Sequence, residues 1–447
     1  MMFQSLARPL LLISMLIPAF AAEPAPPLKL VVLGSSVAWG HGADKPELSW
    51  ASRLGYLLET GEPLAPGSEI KWKFANASIP GDNTAKVLKR YDKDLLAAHP
   101  DAKIVVIALS LANEGMVHAE HPQQVFDSFK DGLEKIAARV RAQGAQPVFT
   151  LAYPQNTYTA EQYGYVKRMN LLLNSGAIPC VNFLGALDDG SGHWAPGYFF
   201  DDGHPNSRGY EELFETIVPT LFDAIAMGKT TPPQWKDATG FLHLERDPSA
   251  NGSAPLSFRP SRAMHSFTES FRIRTRDTGS IAAAGAGESR ATLEIRPEAL
   301  VYIGPGGAVT DTGVKIQDGA WHHIALSHRH ATGVTLVYID GVLRATTQDQ
   351  IEPDLFALGG PATSERAPAP AAADYQDLAI YRSAWTEDEA MAQHRGELQQ
   401  ASMEICAPLA DRELKLGEPI ENRAQSMSRL ILGTAKFSIG EAAAPEK

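Results

Sequence analysis

Two adjacent serines, Ser35 and Ser36, close an apolar run in the stretch LKLVVLGSSVAWGHG, residues 28–42. Further along the chain come IPGDN with Gly81, SLANEG with Asn113, and FFDDGHPN with Asp201, Asp202 and His204. These residue types are the parts of an acyl-transfer site. A serine hydroxyl is a weak nucleophile and needs a neighbouring imidazole to accept its proton. The imidazole needs a carboxylate to hold its tautomer and stabilise its charged form. The tetrahedral intermediate needs donors aimed at the developing oxyanion, which a backbone N–H at Gly81 and the Asn113 amide can supply.

Each residue also has a plain reading. A serine pair fits a polar turn, Gly81 a turn, and Asn113 a strand-end cap. An Asp-x-x-His spacing arises by chance in a chain with 13 histidines. His193, in DDGSGHW, is a competing base but reads as a loop histidine. His41, His118 and His121 read as cleft lining or surface polarity, and Trp39 as a pocket wall or a core aromatic.

The elements that must position these groups tip the balance. LKLVVLG, IKWKFANAS, AKIVVIALS, QPVFTLAYP and IPCVNF read as five strands, the most apolar of them buried on both faces. Between them lie helical patterns such as SWASRLGYLLETG and PQQVFDSFKDGLEKIAARVRAQG, the latter with Pro122 at its start and Gly144 at its end. NSRGYEELFETIVPTLFDAIAMG reads as one closing helix. This alternation predicts a three-layer α/β domain with a mainly parallel five-stranded sheet over residues 28–228. Open sheets of that kind bind ligands at the carboxyl ends of their strands. Ser36, Gly81, Asn113, Asp201 and His204 all fall on that rim.

In this order and spacing the residues resemble the SGNH (GDSL-like) hydrolases. The resemblance covers roughly 200 residues. Its Gly-Asp-Ser-Leu box aligns with Gly34-Ser35-Ser36-Val37. It implies Ser36 as nucleophile, with Ser35 standing where the family has aspartate. Its Asp-x-x-His box aligns with Asp201 and His204 rather than Asp202. It implies an oxyanion hole from Ser36, Gly81 and Asn113. The third block departs from the family's Gly-x-Asn-Asp, reading Leu111-Ala112-Asn113-Glu114.

After a linker, residues 229–239, the pattern changes to short β-type runs and turn residues, which predicts an all-β sandwich over 240–400. DGAWHHIALSHRHATGVTLVYIDGVLRATTQ and YQDLAIYRSAWTEDEAMAQH resemble laminin-G-like (concanavalin A-like) jelly rolls. Trp321, His322 and His323 read as framework, because neighbours on a strand point to opposite faces and cannot easily share an ion. Asp340-Gly341 is a turn signal. TSERAPAPAAAD reads as a low-complexity loop. Residues 401–447 read as an extension with a disordered tail. The first domain has its own strands and closing helix, so it is expected to fold and turn over small esters alone.

The chain has 447 residues and a net charge of -12, which argues against nucleic acid as a partner. Residues 1–22 combine Arg8, a short apolar core and small residues, the parts of a secretory signal peptide. That core is too short for a membrane span, and no later segment is long enough. The expected location is therefore periplasmic or extracellular. No cofactor or metal is expected. Cys180 and Cys406 are the two cysteines, Cys180 reading as an inert core thiol. The expected function is an exported serine esterase acting on short acyl esters, with O-acetyl groups on carbohydrates the favoured substrate and polysaccharide binding assigned to the second domain. The alternatives are a lipid esterase or thioesterase of the same fold, and a non-catalytic glycan-binding protein with a decayed hydrolase domain.

Overall fold

The computed structural model describes residues 26–60, 70–235, 240–246, 254–287, 289–360, 369–410, 414–434 and 436–441. The expected signal peptide, part of the linker, half of the low-complexity loop and the last residues of the tail lie outside them. Among the described residues, no helix is long and apolar enough to cross a membrane.

Strands β1 (Leu28–Gly34), β2 (Trp72–Asn76), β3 (Ala102–Ala108), β4 (Gln146–Thr150) and β5 (Cys180–Val181) form one sheet in the order β2-β1-β3-β4-β5. All pairs are parallel. Alternate residues of β1 and β3 face two separate cores. Leu30, Val32, Ile104 and Val106 pack with α2 (Trp50–Thr60) on one side. Val31, Leu33, Val105 and Ile107 pack on the other with α3 (Thr84–Tyr91) and the helix Pro122–Ala142. Burial on both faces explains why these strands are continuous apolar runs. The strand order reverses between β1 and β3, which opens a crevice at their carboxyl ends.

The closing helix is broken in two, Ser207–Glu215 and Leu221–Ala226. Pro219 lies between them. It lacks an N–H and restricts the residue before it, so one continuous helix is disfavoured there.

The second half forms two antiparallel sheets of eight strands each. They enclose a core that includes Phe267, Phe271, Tyr302, Phe356 and Tyr375. Strands Met403–Ala407, Pro419–Ile420, Leu430–Leu432 and Phe437–Glu441, which the sequence sets apart as an extension, pair into these sheets. The halves are in close contact. Asn174 and Asn182 both donate to Glu389 Oε1, at 3.1 and 3.0 Å. Ser402 donates its N–H to the Cys180 carbonyl (3.0 Å), and its hydroxyl accepts from Asn182 N–H (2.8 Å). Residues beside Ser402 therefore cover the open edge of β5.

His322 and His323 point to different surroundings. His322 Nδ1 lies 2.9 Å from Asp340 Oδ2, while His323 is buried with Nε2 2.9 Å from Ser270 Oγ. His328 is also buried, against Thr335. Burial pushes both His323 and His328 down to about 3. Below about pH 6.5 the unfolded chain binds protons that these folded imidazoles refuse, so stability falls as pH drops from there toward 3. Each ring is expected to add up to about 1.4 kcal/mol of lost stability per pH unit. Urea unfolding of wild type and His328→Gln at pH 7 and pH 5 checks this. The variant should lose less stability between the two pH values, and equal losses would refute the assignment.

Candidate active site

Ser36 begins a single-turn helix, α1 (Ser36–Trp39), directly after β1. A first-turn amide has no carbonyl one turn earlier to bond, so the Ser36 N–H is available to a ligand. Gly40 ends the turn with φ of 100° and donates its N–H to the Ser36 carbonyl. That tight reversal holds the Ser36 hydroxyl at the sheet rim.

Asp201 and His204 sit on a minimal hairpin. Phe199–Asp201 pairs with His204–Pro205, and Asp201 is the direct cross-strand partner of His204. Residues paired this way lie side by side. His204 Nδ1 is 2.7 Å from Asp201 Oδ1, and His204 Nε2 is 2.8 Å from Ser36 Oγ. Asp201 Oδ1 also accepts the Gly203 N–H at 2.9 Å. Burial tends to raise the Asp201 carboxyl. The hydrogen bonds from His204 and Gly203, with the charges of His204 and His41, outweigh it and hold the group below the usual carboxylate range. The carboxylate therefore stays ionised at neutral pH. The Asp202 carbonyl accepts from Asn156 N–H and Trp194 Nε1–H. His193 lies in its own loop, against Ser191 Oγ and the Tyr158 carbonyl.

Asn113 stands on the turn Leu111–Glu114, which Ser110 caps. Its amide donates to Ser35 Oγ at 2.9 Å and to the Asp82 carbonyl at 3.1 Å. Ser35 is fully buried. Its hydroxyl also hydrogen-bonds Tyr153, whose phenol is pushed up to about 12 by burial. The serine that replaces the box aspartate thus orients the Asn113 amide. Glu114, in the position of the block's final aspartate, caps α3 by accepting from Thr84 N–H and Oγ1–H. Gly81 adopts φ of 78°, the left-handed region that favours glycine.

One neighbour, read from the sequence only as cleft lining or surface polarity, stands beside His204. The His41 ring lies 4.4 Å from that of His204 and 5.9 Å from that of Phe200, edge-on to both. Its Nε2 is 3.9 Å from Asp201 Oδ2. Trp39 and Phe200 are 55% and 62% exposed beside Ser36 and Asp201. The arrangement can pass a proton from a serine hydroxyl to an imidazole braced by a carboxylate.

Residues 32–212 match the GDSL-like Lipase/Acylhydrolase family, and residues 250–391 match the Concanavalin A-like lectin/glucanases superfamily. Among curated proteins, none matches the sequence. Similar solved structures include a putative lipolytic protein of the G-D-S-L family from Desulfitobacterium hafniense DCB-2, 20% identical. It covers 42% of this chain and 95% of that one, with a TM-score of 0.33. A two-domain esterase active on acetylated mannans is 15% identical over 78% of this chain and 90% of that one, with a TM-score of 0.32. A heptameric SAP-like pentraxin from Limulus polyphemus is 15% identical over 36% of this chain and 84% of that one, with a TM-score of 0.30. The chain is an ester-bond hydrolase in which a GDSL-like acylhydrolase domain precedes a concanavalin A-like domain.

Proposed function

We propose that Ser36, His204 and Asp201 form a catalytic triad that hydrolyses short acyl esters, with O-acetylated carbohydrate as the substrate class. The observation that carries the reading is the unbroken relay from Ser36 Oγ to His204 Nε2 (2.8 Å) and from His204 Nδ1 to Asp201 Oδ1 (2.7 Å). In the first half-reaction Ser36 Oγ bonds the acyl carbon as its proton passes to His204 Nε2. The N–H groups of Ser36 and Gly81 receive the oxyanion, joined by the Asn113 amide when one of its two N–H groups leaves Ser35 Oγ or the Asp82 carbonyl. His204 then returns the proton to the departing alcohol oxygen, leaving an acyl-serine. Water repeats the sequence on that ester and frees the acid. Asp201 holds the Nδ1 proton and stabilises the imidazolium without taking the proton itself.

The carbohydrate preference rests on the concanavalin A-like domain. It also rests on the exposed Trp39 and Phe200 faces, which offer apolar contact to the C–H face of a sugar ring. Export is proposed from residues 1–22 alone. The test is a panel of p-nitrophenyl acetate, longer p-nitrophenyl esters, an acyl thioester and acetylated glycans, run beside the Ser36→Ala protein. Acetate release from glycans at a higher kcat/KM than from long-chain esters supports the proposal. A preference for long acyl chains or the thioester favours the lipid or thioesterase reading. No turnover of any ester favours the decayed hydrolase.

The oxyanion assignment makes a separate prediction. Asn113→Ala should lower kcat by about 10²-fold, the usual effect of losing one such donor. Ser35→Ala removes only the acceptor that orients the amide, and should cost about tenfold or less. Steady-state kinetics on p-nitrophenyl acetate reads both. A larger loss in Ser35→Ala than in Asn113→Ala would reverse the two roles.

A further inference from the structure

Glu212, His265 and His330 meet where the two halves of the chain touch. Glu212 lies on the helix Ser207–Glu215 of the hydrolase domain, and its side chain is buried. His265 precedes the strand Phe267–Arg274, and His330 opens a short turn after the strand Trp321–Arg329. His265 Nδ1 is 3.2 and 3.1 Å from the two Glu212 carboxylate oxygens. His330 Nε2 is 3.8 Å from Glu212 Oε1. The two imidazoles stack with centroids 4.3 Å apart. Among the described residues, the ion-pair partners of this buried carboxylate are these two histidines, with neither lysine nor arginine.

From this geometry we propose that Glu212, His265 and His330 form a binding site for a divalent transition-metal ion, zinc above all, that joins the hydrolase domain to the sandwich. Two imidazoles and one carboxylate are a donor set that suits zinc. One ligand atom from each residue lies within 4.8 Å of the others. A tetrahedral shell with bonds near 2.1 Å needs separations of about 3.4 Å. Binding therefore requires the two stacked rings to rotate toward Glu212.

The surroundings fit this use. Gln350 Nε2 lies 2.6 Å from His330 Nδ1 and 3.3 Å from its Nε2, and donates to the His330 carbonyl at 3.4 Å. Glu352, half exposed and 3.9 Å from His330 Nε2, is within reach as a fourth ligand. An open polar depression of about 620 Å³, lined by His330, Gln350, Glu352, Asp349 and Arg208 among others, gives an ion a path from solvent. The sequence holds no motif for this site, because its ligands are 53 and 65 positions apart and on different domains.

The test is calorimetric titration of the full chain with zinc chloride after removal of metals by EDTA. One ion per chain is expected, with a rise in Tm. His265→Ala, His330→Gln and Glu212→Gln should each weaken binding at least about tenfold and abolish the rise. Circular dichroism in EDTA establishes that each variant is folded. A readout free of substitutions is protection of His265 and His330 from diethyl pyrocarbonate by zinc in the wild-type chain, mapped by mass spectrometry. His41, Asp201 and His204 also lie close enough together to hold an ion. Zinc binding that survives the His265 and His330 substitutions but is lost in His41→Ala would place the ion there and overturn the proposal. Absence of binding, or unprotected His265 and His330, would do the same.

Discussion

Ser36→Ala is expected to lower kcat/KM for p-nitrophenyl acetate by at least about 10³-fold, with folding and Tm nearly unchanged. The hydroxyl is the only atom lost, and no other oxygen at this rim is placed to attack while bonded to His204. The His204→Ala variant should fall by a similar factor, because a nucleophile without its base is nearly as ineffective as no nucleophile. The double variant should then be little worse than either single one, since groups that act as a unit lose their effect together. Asp201→Ala should cost less. It removes the 2.7 Å brace on His204 Nδ1 but neither the nucleophile nor the proton acceptor. Asp202→Ala should leave activity almost intact, because that residue's described bonds run through its backbone carbonyl. The measurement is initial-rate kinetics at pH 8 on all five proteins. Multiplying losses in the double variant would mean that Ser36 and His204 act independently. An Asp202→Ala loss greater than that of Asp201→Ala would move the brace to the wrong carboxylate.

How much of this was legible in the sequence differs by residue. The central strands of the first sheet showed because burial on both faces forces unbroken apolar runs, as in LVVL of β1 and IVVIA of β3. Gly34-Ser35-Ser36 was legible because it stands where such a run stops. The pairing of Asp201 with His204 was legible as a spacing, while the hairpin that makes them cross-strand partners was not. His41 was legible only as cleft lining or surface polarity, because its place beside His204 depends on a turn after α1 that no local pattern encodes. Strand Met403–Ala407 reads weakly because its sequence, MEICA, carries a glutamate. That residue is buried as the partner of Arg382, 22 positions earlier and beside the neighbouring strand. The expectation of a free-standing first domain failed to foresee the contacts below. Hydrogen bonds between residues some 200 positions apart leave no periodic trace.

A chain ending at Gly228 is expected to be insoluble, or to melt at least about 10 °C below the full protein. The truncation removes the partners of several groups on the hydrolase side. Asn174 loses Glu389, whose carboxylate accepts its amide, and also the N–H groups of Gln400 and Ala401 that donate to its Oδ1 at 2.7 Å each. Asn182 loses both Glu389 and Ser402. The edge strand β5 loses the segment that bonds the Cys180 carbonyl, leaving an open sheet edge that templates aggregation. Gly185 is packed so tightly that an added Cβ would lie 2.2 Å from the Ala384 carbonyl, which shows how closely the second half is fitted against the first. Thr220, near the start of the last helix, loses the Met427 N–H that its hydroxyl accepts at 2.8 Å. A loss of about 3 kcal/mol from these contacts lowers Tm by about 10 °C in a domain of this size. Within the full chain, Glu389→Ala tests the same interface by a single step. It strips the acceptor from both asparagines and should cost about 2 kcal/mol, while leaving kcat near wild type in the folded fraction. Differential scanning calorimetry and size-exclusion chromatography of the truncated chain, the Glu389→Ala protein and the wild type decide the matter. A soluble, monomeric truncated chain with wild-type Tm and kcat/KM would show that the hydrolase domain stands alone and that the second domain rests on it without supporting it.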